Sequence, residues 1–464
     1  MRGHPLFNRS HAYQHVNDHF QLERYGTTVG KEAMAGLTTF FSMAYMLFLV
    51  PDILSQSGME WGAVFLATVI ASVVGTWVMA FVANVPFTLA PSPSLASFFA
   101  FTACATMGFT WQQTLAVVFI CGLVNILITV TNVRKMIVTA VPRSLQYAIS
   151  GGIGLFVAYL GLVQSGFVEF GANPQIASTF TPGLAVFLFS LVLVIVLDVT
   201  KVRGSILISI IVSSAVAALV GVTEIGDAVR LTDAIGQLPE TFGAIFTSEG
   251  IPSLFGSAGM ALSSFTLILM FSFVDTFDTI GTFMSAGRQS GIFTEEEMET
   301  VGKSRFRTRL DRALVADSVA TSVGAVIGTS NTTTVVESLT GIASGGRTGM
   351  TSLFTGLFIG ACVFITPLVS MIPTEALAGV LILIGVMMMS SFRNIDWGDI
   401  TEAIPAFFAS GFMAMCYNIS YGIGAGFIAY CLIKVLKGEH RDVHPIIWVA
   451  SGVFLLAMTM MMFV

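Results

Sequence analysis

Charged side chains are scarce along this chain. Only 10% of its 464 residues are charged, whereas soluble domains carry about 25%. Hydrophobic residues make up 55%, with a mean hydropathy of +0.84, so they outnumber what one globular core could bury. The composition excludes a soluble globular protein. It predicts an all-α polytopic protein of the lipid bilayer, without a nucleic-acid partner.

Cysteines and histidines are also few, and their positions do not suit disulfides or metal binding. The five cysteines all lie in apolar runs, in odd number and without metal-ligand spacing, which argues against a disulfide framework. The six histidines lie near the two termini, so none is available at membrane depth. We therefore expect neither a metal ion nor a cofactor. The first 30 residues hold no apolar stretch, so no cleavable signal peptide is expected.

The apolar residues that are present form runs of roughly 17 to 25 residues, the length needed to cross about 30 Å of hydrocarbon. Fourteen spans are predicted, at 33–54, 61–83, 86–107, 111–131, 147–166, 182–200, 204–222, 257–287, 313–329, 331–344, 348–371, 376–391, 403–420 and 421–436. A further apolar stretch, 446–464, is either a fifteenth span or an interfacial helix. The sequence leaves that choice open.

The basic residues support this count. With the N-terminus placed in the cytoplasm, all of the 21 basic residues except Arg230 fall before the first span, in the gaps that follow even-numbered spans or, for Lys434, at the cytoplasmic end of the fourteenth span. Basic residues accumulate in cytoplasmic loops, and a wrong count would scramble the pattern. We therefore expect a multi-pass protein of the cell inner (plasma) membrane, with the N-terminus and the 288–312 loop in the cytoplasm.

Spans three and ten both look broken. Leu89–Phe99 contains Pro91 and Pro93, and Gly328–Glu337 is too rich in Ser and Thr for a lipid-facing helix. Paired broken segments at corresponding places in two halves indicate a transporter's midplane site. Because seven spans are odd in number, the second half enters the membrane from the opposite side, and a 7+7 inverted repeat follows. The predicted parts are a cytoplasmic tail 1–31, a first repeat 32–222, an external connection 223–256, a second repeat 257–436 and a C-terminal segment 437–464.

Four carboxylates lie away from the span ends: Asp275, Asp278, Asp317 and Glu337. A charge at the bilayer centre costs about 3 kcal/mol by insertion scales, so such residues face a cavity or a partner. Asp275, Asp278, Thr279 and Thr282 follow i, i+3, i+4, i+7 spacing and share one helix face. We interpret Asp317 as a group that holds neighbouring helices together. Asp278 and Glu337 are the candidates for binding, and for Asp275 both roles stay open.

Two further features complete a candidate site. Glu337 follows a predicted half-helix start at Ser330-Asn331, where free amides attract acceptors. Phe98 and Phe99 offer flat rings at the other break, although a lipid-facing position is an equal alternative for each of them. Two carboxylates, a stacking ring and amide donors suit a heteroaromatic base that has N–H donors. Burial would let the carboxylates also take up a proton.

Several motifs resemble the nucleobase:cation symporter family (xanthine/uracil permease superfamily), specifically its AzgA-like purine permease branch. The resemblance runs over about 26–436, and the motifs that carry it are GTTVGKEAMAGLTTFFSMAYMLFLVP (26–51), FSFVDTFDTIGTF (271–283), DS (317–318), IGTSNTTTVVES (327–338), GGRTG (345–349) and TEAIPAF (401–407). It implies a core and a gate domain, a homodimer, and a substrate held between spans three and ten, beside spans one and eight. Residue by residue, it implies substrate and proton roles for Asp278, with Asp275 one turn earlier, and for Glu337. It places the stacking ring on Phe99 rather than Phe98.

The third-span motif departs from this branch, which usually reads Ala-Pro-Gly-Met-Gly-Leu-Asn-Ala-Phe-Phe. Here both glycines are serines, Ser92 and Ser94, and the asparagine used at the substrate is Ala96. Ser94 or Ser97 could supply the lost contact. Thr282 and Thr334 add candidate hydroxyls.

The sequence thus predicts a secondary transporter that carries a purine nucleobase (hypoxanthine, guanine or adenine) into the cell by proton symport and alternating access. It does not say which purine. A proton is preferred to sodium because the site offers carboxylates without an evident cage of oxygen ligands. The alternatives are an anion permease of sulfate or dicarboxylate type, a channel, and a membrane-embedded aspartyl enzyme using Asp275 and Asp278. Two acidic groups argue against the anion, and the aspartates lack a partner span with a Gly-Asp motif, so we expect a protein that is not an enzyme.

Overall fold

The computed structural model of the chain describes residues 19–131, 141–170, 174–202, 204–223, 228–290, 292–293 and 308–463. The first half of these residues forms α1 (Val29–Met43), α2 (Met46–Ser55), α3 (Trp61–Val78), β1 (Leu89–Pro91), α4 (Pro93–Ser97), α5 (Trp111–Val130), α6 (Arg143–Gln164), β2 (Val168–Phe170), β3 (Pro174–Ile176), α7 (Pro182–Val199), α8 (Ser205–Leu219) and α9 (Leu231–Thr241). Stretches of π-helix extend α3 over Met79–Ala83 and α4 over Phe98–Thr106.

The second half forms α10 (Ala258–Ser290), α11 (Arg309–Ile327), β4 (Thr332–Thr334), α12 (Ser338–Ala343), α13 (Gly349–Ala361), α14 (Thr366–Val369), α15 (Thr374–Met389), α16 (Ile400–Met415), α17 (Ile419–Leu436) and α18 (Pro445–Phe463). The tail 1–18, most of the predicted cytoplasmic loop after α10 and the loop 132–140 lie outside the described residues.

Eight helical segments of the described residues are long and apolar enough to cross a membrane, and five shorter apolar helices accompany them. This confirms the predicted helical, polytopic membrane fold. The count of fourteen spans stays a prediction, because a broken segment such as β4 together with α12 is too short to be counted as a span by its length.

The first predicted span is not one helix. The chain turns at Ala44-Tyr45, between α1 and α2, where the amides of Leu47 and Phe48 donate to the carbonyls three residues back at 3.1 Å. A tightened turn of this kind ends the regular helix. The turn holds neither Gly nor Pro, so the sequence gives no local sign of it.

The two broken spans meet as a pair of antiparallel strands. Leu89 of β1 lies opposite Thr334 of β4, and Pro91 lies opposite Thr332. The amide of Val335 extends the pairing by donating to the Thr88 carbonyl at 3.0 Å. Non-helical backbone at membrane depth must find its hydrogen-bond partners within the protein. Each broken span satisfies the other, which is why the two breaks occur together.

One boundary at the tenth-span break was predicted wrongly. The half-helix α12 begins at Ser338, not at Ser330-Asn331, and Thr332–Thr334 is extended. Three consecutive β-branched threonines favour a strand on a half-polar surface. Glu337 is consequently the residue that precedes α12, rather than a residue inside it.

The first span holds α12 and α13 in place. The buried Glu32 carboxylate accepts from the backbone amides of Arg347 at 3.0 Å and Thr351 at 3.1 Å, at the start of α13. Where α12 passes α1, a Cβ on Gly341 would lie 2.0 Å from the Thr39 hydroxyl, so only glycine allows this approach. A six-residue helix has little stability of its own. Its position, and with it that of Glu337, is therefore set by α1.

The C-terminal stretch that the sequence left open is the helix α18. Its face with Ile447, Ala450 and Phe454 is buried, and the Phe454 ring lies 6.0 Å from that of Phe427 on α17. α18 therefore packs against the bundle along one face.

Candidate functional site

The candidate site lies where the turn of the first span faces the start of α12. The Tyr45 hydroxyl donates to Glu337 Oε1 at 2.6 Å. Tyr45 is only 2% exposed, whereas Glu337 is half-buried. Hydrogen bonds to an ionised acceptor are short and roughly twice as strong as neutral ones. Tyr45 thus orients one carboxylate oxygen of Glu337.

Asp278 on α10 lies close to this pair. Its carboxylate is half-buried and near enough to Glu337 and Asp317 for their charges to interact with it. It also acts electrostatically on Tyr45. Asp278, Glu337 and Tyr45 therefore share one environment, although 292 residues separate Tyr45 from Glu337.

Asp317 on α11 ties this environment together. One carboxylate oxygen accepts from the Thr279 hydroxyl at 2.8 Å. The other accepts from the amide and the hydroxyl of Thr334, each at 2.8 Å. Asp317 thereby joins α10, α11 and β4, which agrees with its interpretation as a group that holds helices together. The hydroxyl of the predicted site residue Thr334 therefore donates its hydrogen to Asp317.

Asp275 has different neighbours from Asp278. Its Oδ2 accepts from Asn125 Nδ2 of α5 at 2.6 Å, and Asn125 Oδ1 in turn accepts from the Ser272 hydroxyl. The sequence places both aspartates on one face of α10. In the structure Asp275 is directed at α5, whereas Asp278 lies near α11 and α12.

The third-span side of the site is apolar and buried. The Phe98 ring is stacked on Phe271 of α10 at 4.3 Å between centroids, so one face of it is already covered. Phe99 and Ala96 are both fully buried. The Ser97 hydroxyl donates to the Pro93 carbonyl at 2.8 Å, within the half-helix itself.

The remaining hydroxyls of the candidate site differ in whether a group of the protein already forms a hydrogen bond with them. Ser92 and Ser94 bond to each other at 2.6 Å. The buried Thr282 hydroxyl has no hydrogen-bond partner among the described residues. Of the predicted hydroxyls, Thr282 is therefore free to meet a ligand, whereas those of Ser97 and Thr334 already donate within the protein.

This arrangement can recognise a planar ligand with N–H groups. It contains two half-buried carboxylates whose charges interact, and the partners described above are neutral or acidic, which disfavours an anion. No group of three or more His, Cys, Asp or Glu within the described ranges could hold a metal ion.

Comparison with known protein families shows to which family the chain belongs. The family model of the xanthine/uracil permeases, described as a permease family, matches residues 30–425. The chain belongs to this permease family. It is 35% identical to the guanine/hypoxanthine permease PbuO of Bacillus subtilis, over 94% of this chain and 98% of that protein. It is 33% identical to the adenine permease AdeP of Escherichia coli, over 94% of each chain.

Solved structures with low sequence identity to this permease share its fold. The transmembrane domain of the cyanobacterial bicarbonate transporter BicA matches with a TM-score of 0.58 and 15% identity, over 88% of this chain and 96% of that one. The murine anion transporter Slc26a9 in its inward-facing state matches with a TM-score of 0.60 and 10% identity, over 94% and 74%. These relationships establish a transporter fold, and the relatives of the permease family are transporters rather than enzymes.

Two residues that bond to predicted site carboxylates escaped the sequence analysis. Tyr45 is hidden in an apolar run, although a buried tyrosine hydroxyl usually finds a partner, which is a usable signal. Asn125 is an amide in the middle of the predicted fourth span. Intramembrane polar side chains are functional candidates, and extending the search from carboxylates to amides would have found it.

Proposed function

We propose that this permease carries purine nucleobases into the cell. The observation that carries the proposal is the pair of half-buried carboxylates, Asp278 and Glu337, where two broken spans meet, with Tyr45 holding one of them. The names of the relatives, guanine/hypoxanthine and adenine permeases, support it. Glu337 would accept an N–H of the base, Asp278 a second one, and Phe99 would stack on its ring.

Transport would be proton symport by alternating access. A half-buried carboxylate is a group that can take up a proton when its surroundings favour the neutral form. The two seven-span repeats would divide into core and gate domains, and the protein would function as a homodimer in the inner membrane. The acidic site and the relatives' names favour this over an anion permease, since the likeness to anion transporters concerns the fold alone.

The direct test is uptake of labelled adenine, guanine, hypoxanthine, xanthine and uracil in cells that lack their own nucleobase permeases. We expect accumulation of at least one purine and its loss when an uncoupler dissipates the proton gradient. A Glu402→Gln variant should accumulate purine as the parent does, because Glu402 is an exposed glutamate at the start of α16, away from the candidate site. Absence of all purine uptake from a correctly inserted protein would contradict the proposal.

Orientation in the membrane gives a separate prediction. We expect the N-terminus and the 288–312 loop to face the cytoplasm, because basic residues concentrate there. After the native cysteines are removed, single cysteines placed in either segment should react with a membrane-impermeant maleimide only once the cells are opened. A cysteine at Thr232, an exposed residue of α9 in the predicted external connection, should react in intact cells. Labelling of the N-terminus from outside would overturn the inverted repeat.

The altered third span gives a prediction about specificity. Ala96→Asn should change the relative uptake of the purines or raise the affinity for one of them. In the family that the chain resembles, an asparagine at this position contacts the substrate. Where that side-chain amide is missing, a polar group of the base is left without a hydrogen-bond partner. Because Ala96 is fully buried, crowding could instead lower uptake, and either change places position 96 at the base. Ala100→Asn, one turn further along, is the control. An uptake profile identical to that of the parent would show that the third-span break does not bind the base.

A further inference from the structure

The described helices form two bundles. In the first, α1 packs on α12 and α13, α2 on α3 and α4, α3 on α11 and α13, and α5 on α10 and α11. In the second, α6 packs on α15 and α16, α7 on α8 and α15, and α16 on α17. Asp278 and Glu337 both belong to the first, which we call the site bundle. The other is called the second bundle.

Glycines bring backbones into close contact within each bundle. A Cβ on Gly36 of α1 would lie 2.8 Å from the Thr351 carbonyl oxygen of α13, and a Cβ on Gly154 of α6 would lie 2.5 Å from the Gly385 carbonyl oxygen of α15. None of the glycines in the described ranges would make such a contact from one bundle to the other. Membrane helices that approach through small residues pack tightly, whereas an interface of side chains can be remade after a rigid-body shift. The two bundles are therefore the bodies that can move relative to each other.

Hydrogen bonds connect the bundles at the ends of four spans. The amide of Ile419, the first residue of α17, donates to the Thr102 hydroxyl oxygen of the third span at 3.3 Å. The Thr374 hydroxyl, at the start of α15, donates to Asp52 Oδ1 near the end of α2 at 3.1 Å. Each bond joins the last turns of one span to the first residue of another, and all four ends are external in the predicted topology. The bundles are thus fastened together on their outer side.

An aromatic contact lies beside these bonds. The Phe101 ring meets that of Tyr417, in the turn between α16 and α17, edge-on at 6.0 Å between centroids. The Phe156 ring of α6 also lies against Tyr417, at 5.5 Å. Tyr417 has a φ of 51°, which a bulky residue keeps only where its surroundings hold it. We define the outer contact as the following six residues: Asp52, Phe101, Thr102, Thr374, Tyr417 and Ile419.

The outer contact lies between the external side and the candidate site. Phe101 and Thr102 follow the ring residues Phe98 and Phe99 by about one helical turn, or roughly 5 Å towards the outside. Thr102 and Ile419 are fully buried, and Phe101 is 9% exposed. While this contact is closed, a base cannot reach Phe99 from outside along the third span.

The site is accessible from the other side in the same structure. Glu337 and Asp278 are half-buried, and Val336, which precedes Glu337, is 52% exposed. A carboxylate at membrane depth faces a cavity or a partner. Because the outer contact is closed, the exposed parts of these residues indicate an opening towards the cytoplasm.

Asp52 makes the outer contact easy to release. Its Oδ2 is buried and accepts no hydrogen bond from the described residues. Glu375, next to Thr374, is near enough for its negative charge to repel that of Asp52. A buried acceptor without a donor is unfavourable, and water that enters when the bundles separate would supply the donor. Hydration of Asp52 therefore offsets the loss of its bond to Thr374.

We propose that the outer contact is the external gate of this permease, which is closed in the structure and separates when a base enters from outside. The site bundle and the second bundle would be the core and gate domains of the proposed function. The identity of the transported base rests on that function, whereas the existence of the gate does not.

The first test follows the gate without any substrate. In a protein freed of its native cysteines, Thr102→Cys places a thiol at a fully buried position, which a membrane-impermeant maleimide can reach from outside only when the gate opens. Thr374→Val removes the hydroxyl that bonds to Asp52 and should raise the labelling rate about fivefold, the usual effect on an equilibrium of losing one hydrogen bond. Thr374→Ser keeps a hydroxyl and should label at the rate of Thr102→Cys alone. Thr232→Val, the same change at an exposed external position, should not alter the rate.

The second test closes the gate covalently. Cysteines replace Asp52 and Thr374, whose side-chain oxygens lie 3.1 Å apart, and a short bis-methanethiosulfonate reagent joins them. Uptake of labelled purine should stop and should return after reduction. The purified cross-linked protein should still bind purine, with a Kd within about twofold of that of the reduced protein, because the site stays open to the cytoplasm.

A cross-link within one bundle is the matched control. The hydroxyls of Ser150 on α6 and Ser391, just after α15, lie 3.3 Å apart within the second bundle. A protein with cysteines at these two positions should take up purine equally before and after cross-linking, because the two bundles stay free to separate.

Four results would overturn the proposal. The first is labelling of Thr102→Cys from outside as fast as that of a cysteine at the exposed Thr232. The second is a labelling rate that Thr374→Val does not change. The third is unchanged uptake after positions 52 and 374 are cross-linked. The fourth is loss of purine binding by the cross-linked protein, since this would make the outer contact part of the substrate site.

If the parent takes up no purine, or if the cysteine pair does not insert, the labelling rates still decide whether the gate exists. A rate that rises with Thr374→Val but not with Thr374→Ser supports the gate even where the proposed function fails. Equal rates in these proteins would overturn the gate independently of the substrate.

Discussion

Glu337→Gln abolishes or severely weakens purine binding while the protein still inserts into the membrane. This is the expected result because Glu337 is the carboxylate at the tenth-span break, and Tyr45 fixes one of its oxygens at 2.6 Å. A charge-assisted hydrogen bond to a base N–H would be lost, which costs about 2 kcal/mol or more, or a factor of about 30 in Kd. The amide group of glutamine would also present a donor to an N–H group of the base. Calorimetry on purified protein, together with the amount of protein in the membrane fraction, measures both parts of the prediction.

Two variants separate this effect from a general disturbance. Glu402→Gln makes the same chemical change at an exposed position and should leave the Kd unchanged. Tyr45→Phe removes only the hydroxyl that orients Glu337, so it should weaken binding by less than Glu337→Gln does. A Kd of Glu337→Gln within about twofold of the parent would remove Glu337 from the site.

Asp317→Ala is expected to have the largest effect on the folded protein. The aspartate accepts three hydrogen bonds of 2.8 Å, from Thr279 and from the amide and hydroxyl of Thr334. Its removal leaves these buried donors unpaired at membrane depth, at about 1–3 kcal/mol each. We expect a marked fall in Tm in detergent and no transport. Because β4 then keeps only the bond from the Thr321 hydroxyl to the Thr332 carbonyl among the side-chain hydrogen bonds described between it and α11, its pairing with β1 should loosen as well.

Asp317→Asn keeps the size of the side chain and one acceptor oxygen, so it should fold with an intermediate Tm and measurable but weakened purine binding. The control is Ser318→Ala, the next residue on α11, whose hydroxyl donates to the Leu314 carbonyl of its own helix. It should change Tm little. A Tm of Asp317→Ala equal to that of Ser318→Ala would show that Asp317 does not hold the three elements together.

The sequence by itself determined the class of the protein and the breaks of the third and tenth spans, but not the break of the first span. Scarce charge, long apolar runs and the distribution of basic residues are properties of composition and order, and the bilayer imposes them on every segment separately. Pro91, Pro93 and the threonines of 332–334 marked the two breaks for a similar local reason, since proline interrupts a regular helix and consecutive threonines favour extended backbone. The carboxylates Asp278 and Glu337 stood out because a charge in an apolar run is rare.

Only the tertiary structure decided which of these residues meet. Leu89 is 245 residues from its partner Thr334, and Tyr45 is 292 residues from Glu337. No local pattern encodes such pairings, because a strand of three residues or a single hydroxyl can satisfy its hydrogen bonds with many partners. Asp275 and Asp278, three residues apart, received different neighbours for the same reason. Helical spacing fixes the side of α10 on which they lie, but the packing of α5, α11 and α12 around that helix fixes what each carboxylate contacts.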